Sequence, residues 1–249
     1  MSGHVHDYEA MKLRLLNAAH SALAWLSVPA GIATVDQARK YDEFKTRLRE
    51  LCDEHGVLII FDEVQCGMGR TGKLWAHEWA GMTPDIMAIA KALGGGFPIG
   101  ACLATAEAAK GMTVGVHGST FGGNPLAMAV GQAAFGELSK PETLAHVNEI
   151  AGYLKQQLHG LAQRFPDIIV EVRGKGLLMG MKLIPNNREF MGWARDEAQL
   201  LVAGGGDNLV RILPPLNFTL DEAREAIARL EKTCEFARTK LTAEVLSPS

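Results

Sequence analysis

The sequence lacks several features that would settle its class at once. Aromatic residues make up only 6% of the 249 residues, and neither charge sign dominates, since 25 basic residues face 28 acidic ones for a net charge of −3. That balance removes the electrostatic reason to expect nucleic acid or an anionic membrane as a partner and leaves small molecules. Four cysteines (Cys52, Cys66, Cys102 and Cys234) form no CxxC pair. They indicate neither a zinc site nor a disulfide framework, so no metal is expected and a reducing cytoplasm fits. Long apolar runs are missing too. Gly111–Gly136 is broken by seven glycines, Asn124 and Pro125, and Leu15–Val35 by Asn17, His20 and Pro29. Neither reads as a membrane span or an export signal. What remains, 47% hydrophobic and 21% charged, is the composition of one or two globular domains.

Hydrophobic spacing predicts helices over about Tyr8–Leu26 and Tyr41–Glu54, the second stopped by His55 and Gly56. Three short apolar runs follow: Val57–Phe61, Ile86–Ala90 and Gly100–Thr105, with a helix-like stretch around Leu74–Ala80. The first reads as a strand covered on both faces of a parallel sheet. Asn124 followed by Pro125 predicts a capped helix to about Leu138. Beyond Pro141 the pattern changes to a long helix (about Glu142–Phe165), strands at Ile168–Val172 and Leu177–Leu183, and a helix after Glu189. A strand at Leu209–Leu213 and a final helix from about Thr219 to Leu241 complete a small α+β unit. The fold class expected is therefore α/β, with ligands beyond the carboxyl ends of parallel strands. Asp62 and Lys91 both end such strands. A carboxylate and a lysine so placed suit pyridoxal phosphate chemistry, with the lysine forming a Schiff base and the acid keeping the ring nitrogen protonated. On spacing alone this signal is weak, because a lone strand-end lysine is far more often a solvated surface charge than a catalytic group.

The surrounding words are more specific. LIIFDEVQCGMGRTGKLWAHEWAGMTPDIMAIAKALGGGFPIGACLAT, HGSTFGGNPLAMAV and EVRGKGLLMGMKL closely resemble the class III (fold type I) aminotransferases, in particular the acetylornithine/succinylornithine branch, over about Asp42–Leu241. The resemblance implies pyridoxal 5'-phosphate as cofactor and Lys91 as both Schiff-base lysine and proton shuttle. It implies that Asp62 partners the pyridine nitrogen, Val64 packs on the ring and Gln65 reaches the phenolic oxygen. By the same resemblance Ser119 and Thr120 donate to the phosphate of the other subunit of a homodimer, and Arg211 grips the substrate α-carboxylate. Without it, Ser119 and Thr120 would read as a glycine turn and Arg211 as an exposed strand residue. The reaction implied is amino transfer between an N-acetylornithine-like diamine and 2-oxoglutarate. GMGRTG lacks the spacing of a Walker loop and reads as family loop geometry.

The resemblance begins only just before the Asp62 strand, so the family's amino-terminal half is expected to be absent, with its phosphate loop, its ring-stacking aromatic residue and its early strands. Loss of central strands predicts open sheet edges and poor solubility. Residues 8–38 (YEAMKLRLLNAAHSALAWLSVPAGIATVDQA from Tyr8) instead resemble the helical C-terminal domain of the mannitol dehydrogenase and fructuronate reductase family, in which Lys12, Asn17 and His20 would be the lysine base and its supports. The three fall in one sector of a helical wheel. The expected organisation is thus a polyol-dehydrogenase-like segment at 1–38, a partial cofactor-binding large domain at 39–140 and a small domain at 141–249. An inactive fusion fragment and a polyol or hexuronate oxidoreductase remnant stand as the alternatives to a working transaminase.

Overall fold

The structure, a computed structural model, describes residues 42–246. The segment holding Lys12, Asn17 and His20, and the helix expected over Tyr8–Leu26, lie outside the described residues. The described residues divide into two compact units, one formed by Asp42–Gln65 together with Trp75–Ala134, the other by Cys66–Leu74 and Phe135–Leu246.

The first unit opens with α1 (Asp42–Glu54). The helix ends at Gly56, whose φ of +63° allows the left-handed turn that lets the Val57 N–H reach back to the Cys52 carbonyl at 2.8 Å. A three-stranded sheet follows, in the order β1 (Ile60–Asp62), β2 (Ile86–Ile89) and β3 (Ala101–Ala104). β1 and β2 are parallel, whereas β3 returns antiparallel, pairing Ile86 with Ala104 and Ile89 with Ala101. The expected all-parallel arrangement therefore stops at two strands. The Ala90–Gly100 connection contains one 3-10 turn (Lys91–Gly94) and no crossover helix, without which a strand cannot come back parallel.

Burial corrects a second expectation. From Val57 to Glu63 the apolar run is covered on one face only: Ile59 and Glu63 are buried and Phe61 half-buried, while Leu58, Ile60 and Asp62 are exposed. β1 is an edge strand among the described residues, and a uniformly apolar sequence conceals its period-two burial. β3 is exposed throughout. Asp85 ties this unit together, accepting from the Ile59 N–H at 2.7 Å and from Arg49 at 2.8 Å. The backbone donor, followed by the guanidinium, holds its carboxyl below the usual range. Helix α2 (Pro125–Leu138) starts where Asn124 Oδ1 accepts from the Ala127 N–H at 2.9 Å. It turns Ala127 and Gly131 inward, and a methyl added at Gly131 would come within 3.2 Å of Ile99, so the loop after Lys91 lies close against this face.

The second unit is an antiparallel sheet, in the order β4 (Ile169–Lys175), β5 (Leu178–Leu183), β7 (Leu209–Ile212) and β6 (Ala203–Gly205). Helices α3 (Pro141–Arg164), α4 (Asn187–Ala198) and α5 (Leu220–Leu246) pack with it. One apolar cluster joins these elements. α3 contributes Val147, Ile150, Leu154, Leu158 and Leu161 at helical spacing, β5 contributes Met179, Met181 and Leu183, and α5 contributes Ile227, Leu230 and Cys234. Burial pushes the Cys234 thiol up to about 12, the behaviour of a packing residue and not of a nucleophile. A capping box starts α5: Thr219 N–H donates to Glu222 at 2.7 Å, and the Glu222 N–H donates to Thr219 Oγ1 at 3.2 Å.

The GMGRTG segment is built into this second unit. Arg70, half-buried, donates to the carbonyls of Leu177 at 3.2 Å and Pro214 at 2.5 Å, and the Leu177 N–H returns a bond to the Arg70 carbonyl at 2.9 Å. Gly176, at φ +58°, lies so close to the Arg70–Thr71 backbone that any side chain there would collide with it. The motif thus acts as loop geometry, as the sequence implied. Between β6 and β7 the turn places Asp207 and Asn208 at φ +57° and +53°. Asn208 Nδ2 donates to the carbonyls of Leu183 at 2.7 Å and Pro185 at 2.9 Å, and Oδ1 accepts from the Asn187 N–H at 2.8 Å. Asn208→Gly keeps the left-handed backbone and deletes all three bonds, so the denaturation midpoint of this unit should fall by the equivalent of about 3 kcal/mol. Asp207→Asn, which removes two exposed ion pairs to Arg173 and Lys182, should leave the midpoint unchanged.

Candidate functional site

The pairing of β1 with β2 sets the site. Asp62, the last residue of β1, lies opposite Ala88, and Lys91 follows three residues later at the start of the Lys91–Gly94 turn. Both therefore stand at the carboxyl ends of adjacent parallel strands, and both are exposed. Asp62 Oδ1 accepts from the Val64 N–H at 2.9 Å, which orients the carboxylate. Val64, half-buried, and Gln65, exposed, continue from it in a turn. The backbone of Lys91 is left-handed, at φ +49°. That conformation disfavours a residue with a Cβ, and such departures gather where a side chain must be aimed.

Ser119 and Thr120 lie in the exposed loop before α2, within the same unit. Ser119 Oγ accepts from the Gly122 N–H at 2.9 Å. The loop around them carries exposed Val116 and Phe121. Arg211 belongs to the other unit. It sits mid-strand in β7 opposite Gly180, is half-buried, and its Nε donates to the Gly204 carbonyl at 3.0 Å. The structure thus brings Asp62, Val64, Gln65 and Lys91 to one sheet rim, whereas Ser119 and Thr120 stand on a separate loop and Arg211 in a separate unit.

A cavity of about 700 Å³ in the first unit is lined by Arg49, Glu50, Asp53, Trp79 and Met82 among others, and by none of the site residues. Its charged lining is already paired, Arg49 with Asp53 at 2.6 Å and with Asp85, so it offers no reason to move the site away from the rim. Among the described residues no group of three or more His, Cys, Asp or Glu side chains could hold a metal ion. Glu63 is the residue that sequence reasoning passed over. It is 2% exposed and accepts from the N–H groups of Ala76 and His77. The available signal was its parity, one position from Asp62 and therefore on the covered face.

The strain at Lys91 is measurable without any ligand. Lys91→Gly should be more stable than Lys91→Ala by about 1 kcal/mol in chemical denaturation, because glycine alone occupies the left-handed region without penalty. Equal stabilities would show that the backbone at this position is unstrained.

Comparison with known proteins agrees with the motifs at this rim. The sequence pattern of the family described as Aminotransferase class-III matches residues 37–234, and that of the Mannitol dehydrogenase C-terminal domain matches residues 4–65. Acetylornithine aminotransferase 2 of Caulobacter vibrioides is 72% identical over 197 residues, which cover 79% of this chain and 48% of that protein. Acetylornithine aminotransferase of Brucella melitensis is 55% identical over 194 residues, covering 78% and 48%. The crystal structure of N-acetylornithine aminotransferase from Stenotrophomonas maltophilia superposes with a TM-score of 0.71 at 37% identity, covering 79% of this chain and 52% of that one. The chain spans about half the length of the curated relatives it matches. Its match to the family pattern, extending over most of its length and containing the whole strand-end rim, makes this chain a member of the class III aminotransferase family.

Proposed function

We propose that this chain carries the strand-end half of a pyridoxal-phosphate site of the acetylornithine aminotransferase type, serving amino transfer between an N-acylated ornithine-like diamine and a 2-oxo acid such as 2-oxoglutarate. One observation carries the reading: the parallel register that sets Asp62 opposite Ala88 brings an oriented carboxylate and a strained, exposed lysine to one rim. Class III aminotransferases are pyridoxal-phosphate enzymes, and these two residue types fit the group, a carboxylate for a basic ring nitrogen and a primary amine for an aldehyde. When bound, the cofactor supplies an electron sink for the bonds at the substrate Cα.

In this reading Asp62 would hold a proton on the ring nitrogen, with the Val64 N–H orienting its carboxylate. Val64 would pack on the ring and Gln65 would hold its phenolic oxygen. Lys91 Nζ anchors the cofactor and then moves the proton at the substrate Cα as general acid and base. Ser119 and Thr120 donate to the phosphate across a homodimer, and Arg211 takes the substrate α-carboxylate, for which a planar two-pronged donor is suited. The four cysteines without a CxxC pair fit a reducing cytoplasm as the working compartment.

The open surroundings of the rim favour a second reading, in which the chain keeps the ancestry and has lost the activity. β3 and the loop bearing Ser119 and Thr120 are exposed. Titration of the purified chain with pyridoxal phosphate separates the two readings. The first predicts a saturable visible absorbance band that disappears in Lys91→Ala and weakens at least tenfold in affinity in Asp62→Asn. A wild-type spectrum no different from that of Lys91→Ala would establish the second.

A further inference from the structure

Glu63 is a buried carboxylate that the proposed chemistry does not use. Three donors or ring atoms converge on it: the Ala76 N–H at 2.9 Å from Oε2, the His77 N–H at 2.8 Å from Oε1, and His77 Nδ1 at 3.1 Å from the same oxygen. The two N–H groups open the 3-10 turn Ala76–Trp79, so Glu63 caps it from the covered side of the sheet. Two N–H groups directed at two different oxygens call for a carboxylate. An amide would turn an NH2 group toward one of them.

The same contacts fix the end of β1. The His77 ring lies 5.9 Å, centroid to centroid, from Phe61, so Phe61 and Glu63 meet one partner from one face of the strand. Asp62, between them, has the opposite parity and projects to the open face. The Glu63 N–H donates to the Ala88 carbonyl at 2.9 Å, carrying the β1–β2 ladder one step beyond Asp62. The residue next to Asp62 is thus held at both backbone and side chain.

We propose that Glu63 is a positioning residue for Asp62. Its buried carboxylate locks the strand end so that the Asp62 carboxylate is presented on the rim beside Lys91. The functional value of this lock rests on the reading of Asp62 as the ring-nitrogen partner. Its existence does not, because the Val64 N–H, which donates to Asp62 Oδ1, reports the orientation of Asp62 directly.

Residue-resolved amide exchange by NMR on the full chain provides the test, with wild type, Asp62→Ala and Glu63→Gln compared. Asp62→Ala should speed exchange at Val64 alone. Glu63→Gln should speed exchange at Ala76 and His77 and also, by about tenfold, at Val64, while Met87 in β2 keeps its wild-type rate. Wild-type exchange at Val64 in a folded Glu63→Gln variant would overturn the proposal and leave Glu63 as a cap of the 3-10 turn only. Should Glu63→Gln unfold, His77→Phe keeps both backbone donors and removes the ring nitrogen. It should speed Val64 by about threefold, and an unchanged rate there would overturn the proposal equally. A separate pyridoxal phosphate titration decides the underlying reading: Glu63→Gln should weaken binding as much as Asp62→Asn, with no further loss in the double variant. Absence of wild-type binding would sink the cofactor reading, with the exchange result still deciding the role of Glu63.

Discussion

Every proposed role at the rim depends on the parallel pairing of two short strands. β1 is three residues long and β2 four, and their register determines that Asp62 ends level with Ala88 and that Lys91 emerges just beyond. A slip of one residue would move every side chain of β1 to the other face, burying Asp62 and exposing Glu63. Strands this short do not fix register by their own ladder, so it is set from outside. Asp85 binds the Ile59 N–H at the beginning of β1, and Glu63 binds the Ala76–Trp79 turn at its end. Two carboxylates thus bracket the strand, Asp85 accepting from one backbone N–H and the Arg49 guanidinium and Glu63 from two backbone N–H groups, an arrangement in which a buried or half-buried acid is stabilised and not merely tolerated.

The two units differ in how much of their apolar surface they cover. The second has a continuous core through α3, α5 and its sheet, with Leu158, Leu161, Ile168, Leu177 and Val210 fully buried. The first has a thin core of Ile59, Met87, Ile89, Leu93 and Ala127, and leaves Val57, Leu58, Leu103, Phe121 and Leu126 exposed. By buried apolar surface the second unit has the larger core, and the proposed cofactor rim belongs to the first. These exposed residues leave the proposed rim more open than a small-molecule pocket requires.

Legibility in the sequence followed the kind of interaction involved. α3 could be read because its buried residues recur every three or four positions, and α2 because Asn124 and Pro125 announce it. The strand-end positions of Asp62 and Lys91 were readable because apolar runs stop abruptly at both residues. The one-sided burial of β1 was not, since Ile60 on the open face is as apolar as Ile59 on the covered one. The reversal of β3 was hidden because a glycine-rich connection does not declare direction, and β6, the sequence Ala203-Gly204-Gly205, carries no hydrophobic signal. Asn208 and Glu63 act through backbone groups remote in sequence, and no local pattern encodes such partners.

In the proposed reading Lys91 is set apart from the other lysines by its place on the rim. Borohydride reduction of the chain mixed with a modest excess of pyridoxal phosphate, followed by digestion and mass spectrometry, tests it most directly. The phosphopyridoxyl mass should be concentrated on the peptide carrying Lys91. Label spread evenly over exposed lysines such as Lys110, Lys155 and Lys240 would contradict it.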